Sequence, residues 1–129
     1  MSPTRILLAS DGSEEAAKAA RTAIELSGKL GAELHLVYVG HMPSVFYESP
    51  GLWALDPNLQ SEMEERMEEG AITRLEDEVQ SIKEVGGKVA QAHAKVGRPD
   101  AEIVKLAEEL GADLIVVGSR GFGPLKRLV

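Results

Sequence analysis

With 129 residues, 43% of them hydrophobic and 27% charged, the chain suffices for one hydrophobic core and is too short for two. Fourteen Lys and Arg against 21 Asp and Glu leave a net charge of −7, which disfavours sequence-blind binding to nucleic acid or to anionic membranes. The lack of cysteine excludes disulfides, thiol catalysis and thiolate metal sites, and no stretch approaches the ~20 apolar residues of a membrane helix or forms a signal-peptide core, so a cytoplasmic protein is expected.

Ile6-Leu7-Leu8-Ala9 is a short apolar run closed by Ser10-Asp11-Gly12-Ser13, which predicts a buried strand entering a turn. Ala16, Ala20, Ala23, Ile24, Ser27 and Leu30 then recur at helical spacing up to Gly31. Leu34, Leu36 and Tyr38 alternate with His35, Val37 and Val39 in a second strand, and a long connection follows from Gly40 to Leu55. That connection holds Phe46, Tyr47 and Trp53, and reads equally as a lid, a partner surface or packing over the sheet. Asp56-Pro57 is a cap with proline at the first helical position, and Leu59, Met63, Met67, Ala71, Leu75, Val79, Ile82 and Val85 mark one face of a long helix ended by Gly86-Gly87. Val89 to Val96 reads as a third strand, Pro99 to Leu110 as a third helix capped by Gly111, and Leu114 to Val117 as a fourth strand.

The order βαβαβαβ implies an α/β fold, a doubly wound parallel sheet with right-handed crossovers. The first and fourth strands are uniformly apolar and are expected to be central, whereas the third alternates Ala90, Ala92, Ala94 and Val96 with Gln91, His93 and Lys95, as an edge would. Strands one and four are then neighbours, the strand order is 3-2-1-4, and the loops after them face each other across the switch-point crevice.

Two motifs lie at that crevice. Leu114-Ile115-Val116-Val117-Gly118-Ser119-Arg120-Gly121 is a strand emptying into a glycine turn, where backbone N–H groups can approach a phosphate. It is neither a Walker loop nor the usual dinucleotide fingerprint, and ordinary turn glycines would look the same. Asp11 reads either as a turn or capping residue ahead of Ser13, or as a carboxylate that accepts from ribose hydroxyls or helps hold a metal. Lys126 and Arg127 read as polyphosphate contacts or as a solvated helix start. His35, His41 and His93 show no metal-ligand spacing and no nearby acidic partner, so they read as core or solvated histidines. No Ser/His/Asp or paired-carboxylate arrangement stands out, and no catalytic residue is assigned.

With these residues in view, the whole chain resembles the universal stress protein family. The resemblance rests on Arg5-Ile6-Leu7-Leu8-Ala9-Ser10-Asp11-Gly12-Ser13, on Val96-Gly97-Arg98-Pro99 leading into Ile103 and Ala107, and on Ala112-Asp113 through Gly121. It implies the Rossmann-like, adenine-nucleotide α-hydrolase-like fold, as a single domain over 1–129 whose fifth strand and second half of the phosphate loop would lie beyond residue 129. It implies further that Ala9, Ser10 and Asp11 line an adenosine, with Asp11 near the ribose and Val39 against adenine. Val117, Gly118 and Gly121 would frame the sugar and phosphates, and Arg120 would contact a phosphate. The function so implied is an ATP-binding stress-response module, with Mg²⁺ accompanying the nucleotide, acting through its bound state or a homodimer surface. A nucleotide-independent homodimeric interaction module is the alternative, and an adenine-nucleotide hydrolase or phosphotransferase the third reading; any ATP hydrolysis is expected to be slow.

Overall fold

The chain runs β1 (Arg5–Ser10), α1 (Glu14–Leu30), β2 (Glu33–His41), α2 (Pro57–Glu84), β3 (Gln91–Gly97), α3 (Pro99–Leu110) and β4 (Leu114–Val117). The structure is a computed structural model, and it describes residues 4–41, 51 and 56–118. Ser119, Arg120, Gly121, Lys126 and Arg127 therefore lie outside the described residues, as do Phe46, Tyr47 and Trp53.

The helix ends follow from local chemistry. The Ser13 side chain accepts from the Ala16 N–H at the start of α1, and Asp56 accepts from Asn58 N–H at the start of α2, with Pro57 supplying the fixed φ of a first helical residue. α1 stops at Gly31 and α3 at Gly111, both in the left-handed region. Four alanines, Ala16, Ala19, Ala20 and Ala23, form the buried face of α1 and let the helix axis approach the sheet closely.

All strand pairs are parallel, in the order β3-β2-β1-β4, as the sequence pattern predicts. Strand alternation divides the core in two. Ile6 and Leu8 of β1, with Leu34, Leu36 and Tyr38 of β2, pack under α1 and α2 against residues such as Ala23, Ala71 and Ile82. Leu7 and Ala9, with Val37 and Val39, pack under α3 against Ile103, Leu106 and Ala107. Burying each large side chain in these layers contributes roughly 1.5–3 kcal/mol. Among the described residues no helix is long and apolar enough to cross a membrane.

Among the described residues β4 pairs with β1, and Leu114, Ile115 and Val117 are half-buried. Two local expectations are corrected, the start of β3 and the burial of Val85. β3 begins at Gln91; Val89 packs on the core before the ladder starts, and Ala90 N–H donates to the Leu34 carbonyl at 2.7 Å. Val85 is 67% exposed because α2 ends at Glu84, and the cap residue leaves the helical period that buries Leu75 and Ile82.

At the amino-terminal ends of the central strands, Asp113 clamps β1 to the turn before β4. Its Oδ2 accepts from Thr4 N at 2.8 Å, Thr4 Oγ1 at 3.0 Å and Arg5 N at 3.1 Å, while its own N–H donates to the Arg5 carbonyl at 2.9 Å. The two backbone donors, then the hydroxyl, hold the Asp113 carboxyl below the ordinary carboxylate range.

On the α3 face of β2 and β3, the His35 and His93 rings stack with centroids 6.5 Å apart. His35 does have an acidic partner, contrary to expectation: Glu33, two residues earlier on the same strand face, places Oε1 3.1 Å from Nε2. Because a carboxylate only accepts, His35 Nε2 is the donor in this contact, and among the described residues His35 Nδ1 and His93 Nε2 are buried without a hydrogen-bond partner. Burial, then His35 and Lys95, hold His93 below the ordinary imidazole value of 6.5, against the pull of Glu109. The unfolded chain therefore takes up a proton at His93 more readily than the folded one, and stability present above pH 6.5 is lost as pH falls toward the lowered folded value. Thermal melts followed by circular dichroism are expected to show a lower midpoint at about pH 5 than at about pH 7.5, and His93→Leu is expected to flatten that slope.

Candidate functional site

The carboxyl ends of β2, β1 and β4 meet where the winding direction reverses, and the register fixes which residues stand there. Ala9 lies between Val37 on β2 and Val117 on β4. Val39 follows two residues further along β2, on the same face. Ala9, Val39 and Val117 thus form one apolar wall under α3. Ala9 and Val39 are 0% and 3% exposed, so the wall offers their edges, together with the half-buried flank of Val117.

Ser10 is one residue on from Ala9 and so faces the opposite side of the sheet. Its hydroxyl donates to Glu78 Oε1 of α2 at 2.7 Å and accepts from Gly12 N at 3.1 Å. Of the residues read as an adenosine lining, Ser10 therefore turns its side chain away from the wall, and only its backbone remains on that side. Asp11 is half-buried at the rim, and its Oδ1 accepts from Ser13 N at 2.9 Å. Oδ2 has no partner among the described residues. The carboxylate thus closes the turn with one oxygen, as the capping reading expects, and this does not occupy the other.

The turn's own donors are largely used. Gly12 N goes to Ser10, Ser13 N to Asp11, and Ala16 N to Ser13 Oγ at 3.1 Å, while Glu14 and Glu15 place acidic charge in the first turn of α1. A helix start with these amides occupied and acidic residues in its first turn is a poor anion site. Any phosphate at this crevice is better served from the β4 side, where Gly118 follows the strand. Gly118 is buried against α1: a Cβ there would lie 2.9 Å from the Glu15 carbonyl carbon and 3.0 Å from Ala16 N, so glycine permits the close approach of β4 and α1.

A polar cluster that the sequence reading did not single out lies behind the turn. A Cβ on Gly12, whose φ is +81°, would be 3.8 Å from Tyr38 Oη and 3.9 Å from Arg74 Nη1. Burial, and after it the carboxylates of Asp11 and Glu78, raise the Tyr38 phenol above its ordinary range, while Arg74 pulls the other way. The hydroxyl is therefore a proton donor at neutral pH. The available signal was Arg74 and Glu78 four apart on one helix, but only the fold shows that this face meets Tyr38.

The model of the universal stress protein family matches residues 3–129. The universal stress protein YxiE of Bacillus subtilis is 32% identical over 126 residues, which cover 97% of this chain and 84% of the relative. The crystal structure of a universal stress protein family member from Burkholderia pseudomallei aligns with a TM-score of 0.66 at 30% identity, over 97% of this chain and 86% of that one. Two further structures share the fold at 21% identity. One is an Arabidopsis thaliana universal stress protein family protein with AMP bound, with a TM-score of 0.59 over 98% of this chain and 83% of that one. The other is a universal stress protein in complex with cAMP, with a TM-score of 0.62 over 99% and 83%.

Gly118→Ala is expected to destabilise the protein by about 1–3 kcal/mol, because the added methyl meets α1 backbone that cannot yield as a side-chain tip would. Urea denaturation measures the loss; an unchanged midpoint would mean that β4 and α1 separate freely.

Proposed function

This chain belongs to the universal stress protein family, and from that premise we propose that its crevice binds an adenine nucleotide, ATP in the first instance. The observation that carries the reading is the wall of Ala9, Val39 and Val117 at the carboxyl ends of three adjacent strands, with the spare oxygen of Asp11 at its rim. An apolar wall suits a purine face, and a carboxylate oxygen suits the vicinal hydroxyls of a ribose. Structures of the same fold hold AMP and cAMP, which supports the adenine assignment. Arg120 and Gly121, with Gly118, complete the proposal as phosphate contacts.

Mg²⁺ commonly binds through one or two carboxylates and the substrate's phosphates. Among the described residues no group of three His, Cys, Asp or Glu could hold a metal alone, so Asp11 is the carboxylate that would complement a cation carried in by the nucleotide. The chain's own part is to hold the base and ribose, and any hydrolysis is slow, with no general base assigned among the described residues. The module acts through its nucleotide-bound state or through a homodimer surface, in the cytoplasm.

Titration calorimetry with Mg²⁺ is expected to show tighter binding of ATP than of GTP, because the wall of Ala9, Val39 and Val117 is apolar and offers no side-chain hydrogen bond to the guanine edge. Equal or tighter GTP binding would sink the adenine assignment. Asp11→Ala is expected to weaken ATP binding by about 1–3 kcal/mol, the cost of losing a hydrogen bond to a charged group. If the variant keeps its affinity while its melting temperature falls, Asp11 serves the turn alone. Purified protein that retains no nucleotide by mass spectrometry and gives no calorimetric signal would favour the nucleotide-independent homodimer.

A further inference from the structure

The face of the sheet opposite the Ala9 wall carries a cleft of about 420 Å³, within the size range of small-molecule sites. α1 forms one side with Ala17, Ala20 and Ile24, and α2 the other with Ile82 and the exposed Val85. The cleft's inner end is polar, formed by Tyr38, Arg74 and Glu78 beside Gly12.

Tyr38 is the telling residue. It is 9% exposed, yet its hydroxyl makes no hydrogen bond among the described residues and opens into the cleft. Its ring is packed into the core while the hydroxyl stays reachable from the cleft, so the oxygen can meet a ligand without losing a partner in the protein. Beside it, Glu78 gives Oε1 to Ser10 and has no partner at Oε2 among the described residues, and Arg74 brings its guanidinium to the same corner. Two donors thus stand next to one free acceptor.

Charge selects among ligands. Arg21 and Arg74 balance Asp77 and Glu78, so the lining is neutral overall. An anion seated at Arg74 would face Glu78, and a cation seated at Glu78 would face Arg74. A neutral group with an acceptor next to a donor satisfies both, its carbonyl taking hydrogen bonds from Tyr38 and Arg74 while its N–H donates to Glu78. The alanine-lined walls leave room for a flat ring.

We propose that this cleft is a second small-molecule site, taking an uncharged, flat heteroaromatic whose edge carries a carbonyl beside an N–H. It lies on the other face of the sheet from the crevice assigned to nucleotide and stands whether or not that assignment does.

The test is titration of the full chain with quinazolin-4-one, a neutral bicycle with such an edge, followed by ¹H–¹⁵N correlation spectra. Quinoline, which lacks the donor, and 2-naphthoate, which is anionic, serve as comparators. Saturable shifts at Ala17, Ala20 and Ile82 are expected below about 1 mM, the affinity range of a small fragment. Tyr38→Phe is expected to weaken binding about tenfold, as loss of a hydrogen bond would. Ala17→Phe fills the cleft from an exposed position and is expected to abolish binding. Should Tyr38→Phe lose its dispersed spectrum, Arg74→Gln on exposed helix surface decides, with weakening of several-fold expected. No saturable shift, equal binding of quinoline or 2-naphthoate, or full affinity in the folded variants would overturn the proposal.

Discussion

Everything in this fold hangs on β1 being paired along both edges. Six residues, five of them buried, carry the ladders to β2 and to β4 and pack against helices on both faces. A parallel strand so enclosed has no freedom in register, because a shift by one residue would turn Ile6 and Leu8 into the layer built for Leu7 and Ala9. The turn after β1 inherits that fixity. Ser10, the last residue of β1, is tied to the α2 side through Glu78, while Ala9 before it faces the α3 side, and Asp11 closes the turn onto Ser13. Two environments of different chemistry therefore lie one residue apart along the chain.

Much of this could be read in the sequence, and the reason is local. Ser13, Asp56-Pro57, Gly31 and Gly111 act through their own backbone or its next few residues, so they mark helix ends without knowledge of the fold. Strand order followed from composition, since β3 carries Gln91, His93 and Lys95 along its length where β1 is apolar from Ile6 to Ala9. What escaped is set by tertiary neighbours. Where the third strand enters its ladder, at Gln91 and not at Val89, depends on its pairing with β2. Val85 fits a heptad-like count and falls outside it once the helix stops.

The same distinction holds at the sites. Ala9, Val39 and Val117 share a face by strand alternation alone, and Asp11 stands at the rim because β1 ends there. The pairing of Glu33 with His35 was within reach of the alternation rule, since residues two apart share a strand face. Tyr38, Arg74 and Glu78 were not, for their meeting depends on the rotation of α2 about its axis, which no local pattern in β2 encodes.

Asp113 gives the β1–β4 seam a fixed pole. Its three accepted hydrogen bonds and one donated bond tie the strands at the end remote from the crevice. A four-residue strand is about 13 Å long, so a tilt of about 5° about that pole displaces its far end by about 1 Å. The seam is therefore a lever with its fulcrum at the acidic clamp, and Gly118, bare of a side chain against α1, is the point at which any such swing is first blocked or first felt.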